Sequence, residues 1–329
     1  MIERRQCIGE VRNMEETMAG SRVLVIGAGV IGSVYAGHLA EVGHDLTLLA
    51  RGHRLDDLVR SGLRLRRQSR PERAPRVAIT AEVPVGPFDL VVVAVRREQA
   101  TAAAEQAALV SATLVMLFGN YAGMVAALAQ AAGPDRTVVG FPGVGGRIDG
   151  DAVTYSLIEQ QPTTVGALDG GPIEAPRAIA RMLGEAGLPA TVEPNMEDWL
   201  ASHAALVVPI AAAITAAGGN ADTLAGRRDL LRAAVRATRA SYRAQRRRHR
   251  LVIGSSLRLL YLVMPEWFAV QYWSRALRGE FGELAFAAHT RHAWAEMAAL
   301  GAWLRSTLDS DPRAAAALDR VMELATAPG

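Results

Sequence analysis

The chain has 329 residues, 50% hydrophobic and 21% charged, which excludes a largely disordered protein and by length points to two domains. It contains one cysteine, Cys7, and no lysine, so all 36 basic side chains are arginine. An internal disulfide framework, a four-cysteine zinc site, Schiff-base chemistry and a lysine general acid are thereby ruled out, and a formal net charge of +3 is too small to announce a nucleic-acid-binding surface.

In chain order, residues 1–20 read as a loose tail without the apolar core of a signal peptide, with Met14 and Met18 as alternative starts. Val23–Ile26 is a short β-branched run, as expected of a strand buried on both faces. Tyr35–Val42 follows as a helix stopped by Gly43, and Leu46–Leu49 is a second buried strand. Pro71–Pro75 reads as a local loop. Leu90–Val95 and Leu114–Leu117 are further strands, with the Ala-rich segment Thr101–Val110 as the helix between them, and Val138–Gly140 starts another. Strands alternating with helices indicate a parallel sheet covered on both faces. Thr154–Ile158 and Thr163–Val165 are expected as antiparallel strands closing that sheet. Beyond Glu197 the pattern is helical almost throughout. The fold class is therefore α/β: a Rossmann-type doubly wound parallel sheet over 21–192, followed by an all-α domain over 193–329. The longest apolar run, Ala204–Gly219, is short for a membrane span and contains Pro209, so a buried helix and a cytoplasmic protein are expected.

The motif that carries chemistry is Gly27-Ala28-Gly29-Val30-Ile31-Gly32, placed directly after the first strand and opening a helix. The first glycine allows the tight turn, the second lets a diphosphate approach the backbone, and the third lets the helix pack on the strand. The phosphates of a dinucleotide then meet the free N–H groups and the positive end of the helix. At the end of the second strand, where an acidic residue would select NAD, the chain has Ala50-Arg51-Gly52-His53-Arg54. An arginine there pairs with a ribose 2′-phosphate, so NADP(H) is the expected cofactor, with Arg51 the first choice and Arg54 the second.

Taken with later segments, these residues resemble the ketopantoate reductase (2-dehydropantoate 2-reductase) family. Val25–Ser33 followed by Leu48–Gly52 is similar to that family's opening. Val92–Gln99 matches a strand ending in Lys and then Gln, with Arg96 in place of the lysine and Gln99 retained. Phe118–Gly123 resembles the Asn-Gly loop beside the nicotinamide, with Asn120 as the asparagine and Tyr121 in place of the glycine. Gly184–Gly187 and Glu197–Trp199 resemble the approach to the helical domain, and Gly282–Leu284 makes Glu283 the matching substrate-binding glutamate. The resemblance implies a 6-phosphogluconate dehydrogenase-like fold, NADPH delivering hydride to a small 2-keto acid in an interdomain cleft, and at family level a homodimer. It also implies Gly27, Ala28, Gly29, Val30, Ile31, Gly32, Arg51, Arg96, Gln99 and Asn120 as the cofactor-binding set. The chain departs from the family at the catalytic lysine, whose Trp-x-Lys position falls on Ala201 counted from Trp199, or on Leu200 counted back from Pro209.

With no lysine, His203 on the same helix is the candidate proton donor, against the alternative of a buried structural histidine. His289 is a second candidate, six positions after Glu283. Asn120 is a candidate carbonyl or nicotinamide contact, or a turn asparagine bonded to its own backbone. His289, His292 and Glu296 share a helix face, although helix-surface His and Glu pairs are commonplace and no metal is expected. Arg243–Arg250 is expected as an exposed basic helix face rather than a nucleic-acid site. The aromatic stretch Tyr261, Trp267, Phe268, Tyr272 and Trp273 fits a helical core or dimer contact, or the lining of an apolar pocket. The expected function is NADPH-dependent reduction of a 2-keto acid or related ketone, with neither nucleic acid nor membrane as partner. The alternatives are a non-catalytic NADP(H)-binding protein and a redox-neutral enzyme on the same fold.

Overall fold

A computed structural model describes residues 18, 20–68, 70–168, 170–287, 290–291 and 294–326. Most of the expected tail, and both His289 and His292, lie outside the described residues. Packing divides the chain into a unit ending at Met196 and a second beginning at Glu197, against an expected boundary between 192 and 193.

The first unit is built on eleven strands: β1 (Arg22–Ile26), β2 (Asp45–Leu49), β3 (Arg64–Arg67), β4 (Ala78–Thr80), β5 (Phe88–Val93), β6 (Ala112–Phe118), β7 (Thr137–Phe141), β8 (Val144–Asp149), β9 (Ala152–Leu157), β10 (Thr163–Gly166) and β11 (Ala190–Val192). Eight form one sheet in the order β4-β2-β1-β5-β6-β7-β10-β11. The first six run parallel; β10 turns antiparallel against β7, and β11 follows β10. The apolar runs explain this placement: Val23, Leu24, Val25, Leu90, Val91 and Val93 are wholly buried, as strands covered on both faces must be. The chain order reverses between β1 and β5, the switch point where doubly wound folds open a ligand crevice.

One strand does not lie where expected. Thr154–Ile158 does not close the main sheet; all of it but Ile158 falls within β9, the middle strand of a separate sheet in the order β3-β9-β8. Its two edges are already taken. A tight turn at Gly150, with φ of +62°, folds β8 back on β9, and β3 pairs along the other side. Arg64 at the head of β3 bonds both Glu72 and Asp151, which pins that strand despite its Arg-Leu-Arg-Arg sequence. A second correction concerns Met18, expected in the tail: it is buried against the sheet core, and its carbonyl accepts the Ser21 hydroxyl at 2.7 Å.

The first helix spans Val30–Glu41, starting before the expected Tyr35, because Gly29 already serves as its N-cap. Every residue from Gly32 to Leu39 is buried. His38 is, with Ser33, a buried polar member of this helix. Its Nδ1 donates to the Ala186 carbonyl at 2.8 Å, so Nε2 is the acceptor, 2.7 Å from the Tyr155 hydroxyl and 3.1 Å from Arg73. Arg73 also bonds Tyr155 and pairs with Glu41. Arg136 does a similar job with neutral partners, donating to the Ala107, Ala108, Val110, Ala112 and Ala132 carbonyls and so tying two helix ends to the β6 entry.

The second unit is helical among its described residues. Met196–Ala216 is long and apolar enough to cross a membrane by composition, but 67% of its most apolar window is buried within the protein. It is followed by helices at Ala221–Gly226, Arg228–Arg247, Ser255–Arg258, Glu266–Ala276, Trp294–Thr307 and Pro312–Thr326, with π-helical turns at Leu259–Val263 and Glu283–Ala287. The basic run at Arg243–Arg250 is largely committed to internal contacts: Arg247 pairs with Asp311, Arg248 bonds Ser310, and Arg250 pairs with Asp198 at 2.6 Å. The aromatic stretch splits. Tyr261 and Trp273 are buried and joined by a 2.6 Å hydrogen bond, while Trp267, Phe268 and Tyr272 are exposed.

Burial, joined by the positive charges of Arg73 and Arg67, pulls the His38 imidazole below its ordinary value; the Ala186 bond and Glu41 oppose this less strongly. A histidine kept neutral in the fold contributes stability that is complete above its unfolded value and is lost as the pH falls through about 6.5 toward the folded one. Denaturation midpoints measured between neutral and mildly acid pH should therefore drop with acid in the parent protein. The H38Q variant should show a shallower dependence over that interval.

Candidate active site

Strand register creates the site. Val25 lies beside Leu48 on one side and Val92 on the other, and Ile26 beside Leu49 and Val93. Val93 is level with Leu117, and Phe118 with Gly140. The carboxyl ends of β1, β2, β5 and β6 therefore finish side by side. The residues that leave them, Gly27, Ala50, Ala94 and Gly119, start their loops at one edge of the sheet.

At that edge the three glycines of the motif do three different jobs. Gly27 has φ of +112°, and a Cβ there would stand 2.4 Å from the Ala94 carbonyl oxygen. A Cβ on Gly32 would stand 1.9 Å from the Gly27 carbonyl oxygen, so only glycine lets the helix start so close to the strand. Gly29 is the opposite case: a Cβ there would meet nothing within 4 Å. The backbone at Gly29 faces open space, at the start of a helix with no side-chain cap and no acidic residue in its first turn. Uncapped N–H groups, the positive helix end and a surface without side chains together fit a diphosphate. Ala28, Val30 and Ile31 complete this turn.

The two arginines after β2 occupy different places. Arg51 is exposed at the N-cap of the helix Gly52–Ser61, and its Nη2 donates to Gln106 Oε1 at 3.0 Å. Arg54 is half-buried against the glycine turn, with Nε donating to the Ala28 carbonyl at 3.1 Å and Nη2 to Ser33 Oγ at 3.4 Å.

The loop after β6 carries Asn120, whose buried Oδ1 has no hydrogen-bond partner. Such an orphaned acceptor is costly unless a donor arrives, which fits the amide or a sugar hydroxyl of a nicotinamide nucleotide. Neighbours hold the loop. Tyr121 is buried, donates to the Val95 carbonyl at 2.7 Å, and lies so close over Gly119 that a Cβ there would be 2.8 Å from its ring. Arg97 donates to the carbonyls of Asn120 at 3.3 Å and Ala122 at 2.9 Å. Arg96 and Gln99, the residues expected to bind cofactor, are exposed. Arg97 was not anticipated, since two adjacent arginines at a strand end look alike in sequence and only the backbone's direction makes one turn inward.

In the second unit, His203 stacks flat on Trp199, with ring centroids 5.1 Å apart and planes 3° from parallel. The two are one helical turn apart on Met196–Ala216, so the stack follows from i,i+4 spacing. Leu200 is fully buried, and the Ala201 carbonyl accepts from Gln245 Nε2 at 3.0 Å. Glu283 forms a two-pronged ion pair with Arg291, whose Nη1 lies 3.1 Å from Oε2 and also donates to the Gly219 carbonyl at 2.8 Å. Among the described residues no group of three histidine, cysteine or acidic side chains is placed to hold a metal, and Glu296 is buried. A cavity of about 510 Å³ opens at His44 and Asp45, at the amino end of β2; it shares no residue with the glycine turn beyond the other end of that strand.

Residues 23–170 match the family model described as ketopantoate reductase PanE/ApbA. No curated protein sequence matches the chain. Among solved structures it is similar to a protein of Ralstonia solanacearum MolK2 described as a ketopantoate reductase, at 19% identity and a TM-score of 0.71, over 93% of this chain and 98% of that one. It is similar to D-mandelate dehydrogenase in a ternary complex with NADH and anilino(oxo)acetate, at 14% identity and a TM-score of 0.72, over 92% and 97%. A third is the 2-dehydropantoate 2-reductase of Geobacter metallireducens GS-15, at 15% identity and a TM-score of 0.66, over 93% and 100%. At these identities the likeness is one of fold.

The glycine geometry has a direct test by thermal or chemical denaturation. G32A should cost about 2–3 kcal/mol, since its methyl group meets a backbone carbonyl that cannot move freely. G29A should cost no more than about 1 kcal/mol, because its methyl group enters open space at an allowed backbone conformation.

Proposed function

We infer, from a chain whose residues 23–170 match the ketopantoate reductase PanE/ApbA family model, that this protein is a nicotinamide-dependent reductase of a 2-keto acid or related ketone, with NADPH as the preferred cofactor. The observation that carries the reading is the open backbone at Gly29, with Arg54 bonded to that turn and Arg51 just past the end of the neighbouring strand β2. Bound at this turn, NADPH supplies the hydride for the keto carbon.

The rest belongs to the chain. The N–H groups of the turn hold the diphosphate. Arg51 exchanges its single exposed bond to the neutral Gln106 for the 2′-phosphate, a stronger charge-assisted partner. Asn120 Oδ1 accepts a hydrogen bond from the nicotinamide amide or its ribose, and Arg97 keeps that loop in place. Reduction leaves an alkoxide that must gain a proton. His203 holds that proton on its ring, stacked against Trp199, which fixes the imidazole plane. Glu283, oriented by Arg291, is the hydroxyl-binding carboxylate.

A second reading is a protein that binds NADP(H) without turning it over. It is favoured by the absence of lysine and by the buried Leu200 and the apolar Ala201 at the family's proton-donor position.

The two are separated by following the absorbance of NADPH with a panel of 2-keto acids, including bulky aryl ones. Keto-acid-dependent oxidation is expected, with H203A lowering kcat by about 10²-fold or more and leaving KM for NADPH near the parent value. Binding of NADPH with no oxidation by any member of the panel would establish the second reading instead. An H203A rate equal to the parent's would make His203 structural.

A further inference from the structure

Among the described residues, Arg54 is the cation that touches the glycine turn itself. Its Nε and the Ser33 hydroxyl both donate to the Ala28 carbonyl, each at 3.1 Å, and its Nη2 reaches back to the same Ser33 oxygen at 3.4 Å. The Ala28 carbonyl therefore has both lone pairs engaged. That carbonyl belongs to the turn between Gly27 and Gly29, next to the open backbone of Gly29. Left bare, it would present partial negative charge to phosphate oxygens. The remaining nitrogen of Arg54, Nη1, is buried and has no hydrogen-bond partner. Among the described residues Arg54 forms no ion pair. Burial holds its guanidinium below its ordinary pKa, with only a weaker opposing pull from Asp57 and Asp151. A half-buried cation without a counter-ion is an expensive thing to keep unless an anion comes to it. The uncapped, acid-free helix start and the open face at Gly29 lie directly alongside.

We propose that Arg54 is the positioning residue for the diphosphate of the dinucleotide. It clamps the Ala28 carbonyl out of the phosphates' way and supplies the charge beneath the turn, while Arg51 reads the ribose 2′-phosphate separately. The proposal rests on the nucleotide-site reading above and divides two roles that the sequence leaves pooled in one Arg-x-x-Arg segment. It makes the affinity contributed by Arg54 common to every ligand with a diphosphate and indifferent to the 2′-phosphate.

The division is measurable by calorimetry without any turnover. ADP-ribose carries the diphosphate and no 2′-phosphate; adenosine 2′-monophosphate carries the reverse. R54M is expected to weaken ADP-ribose roughly tenfold, as expected for a lost, partly screened charge. It should leave adenosine 2′-monophosphate within about twofold of the parent protein. R51M should show the mirror pattern. R54K keeps the charge and should hold ADP-ribose within about threefold.

Equal losses of both ligands in R54M would make Arg54 a fold residue only and overturn the proposal. So would an ADP-ribose affinity unchanged in R54M, or a loss confined to adenosine 2′-monophosphate. If R54M does not fold, R54K alone decides: a tenfold loss of ADP-ribose in a variant melting near the parent temperature overturns the charge role. Failure of the unsubstituted protein to bind either ligand removes the nucleotide site itself, an outcome seen before any substitution is made.

Discussion

Two backbone contacts with no room for a side chain set the geometry of the first unit: Gly27 against the Ala94 carbonyl, and Gly32 against the carbonyl of Gly27. The first holds the β1 exit against the β5 exit. The second fixes where the Val30–Glu41 helix begins and how closely it lies on the strand. Given those contacts, the flush register of β1, β2, β5 and β6 brings the glycine turn, Arg51, the Arg97 corner and the Asn120 loop to one edge. None of those groups is near another in sequence. What joins them is a parallel sheet, in which every strand finishes on the same side.

The chain builds its local order at both edges of the sheet with guanidinium groups. Arg54 fastens the glycine turn, Arg97 the Asn120 loop and Arg136 the ends of two helices, each through backbone carbonyls rather than carboxylates. A planar fork with five donors suits this work, because one side chain can satisfy several carbonyls that leave helices and strands in different directions. Arg136 alone donates to five of them. The same residue type is thus structural at one place and poised toward a ligand at another, and composition does not distinguish the uses.

The legible parts of the sequence were those where one physical signal dominates. The β-branched runs of β1, β5 and β6 gave buried parallel strands, and the spacing of Gly27, Gly29 and Gly32 gave the turn. β3 was hidden because Arg64, Arg66 and Arg67 hide a strand whose only core-facing residue is Leu65. β8 was hidden because Gly145 and Gly146 break its alternation, although β9 approaches so closely that a Cβ on Gly146 would lie 2.5 Å from the Thr154 carbonyl oxygen. That missing partner is also why β9 looked like a closing strand of the main sheet. In the site, the flat stack of His203 on Trp199 follows from their spacing, whereas the Glu283–Arg291 pair depends on a π-helical turn that no periodicity announces. The choice between Arg96 and Arg97 is made by the way the chain leaves β5, a property of backbone direction rather than of residue type.

The ionic clamps of the second unit share one chemical trait. Arg236 grips Glu266 with two bonds of 2.8 and 3.0 Å, Arg305 holds Asp319 at 2.9 Å, and Arg250 holds Asp198 at 2.6 Å. In proteins that tie helices with ammonium groups, such links let go in strong alkali, as the amine sheds its proton near pH 10 or somewhat above. A guanidinium keeps its proton well past that point. Among the described residues, the ionic cross-links of the helical unit are therefore of a kind that moderately alkaline solution does not discharge.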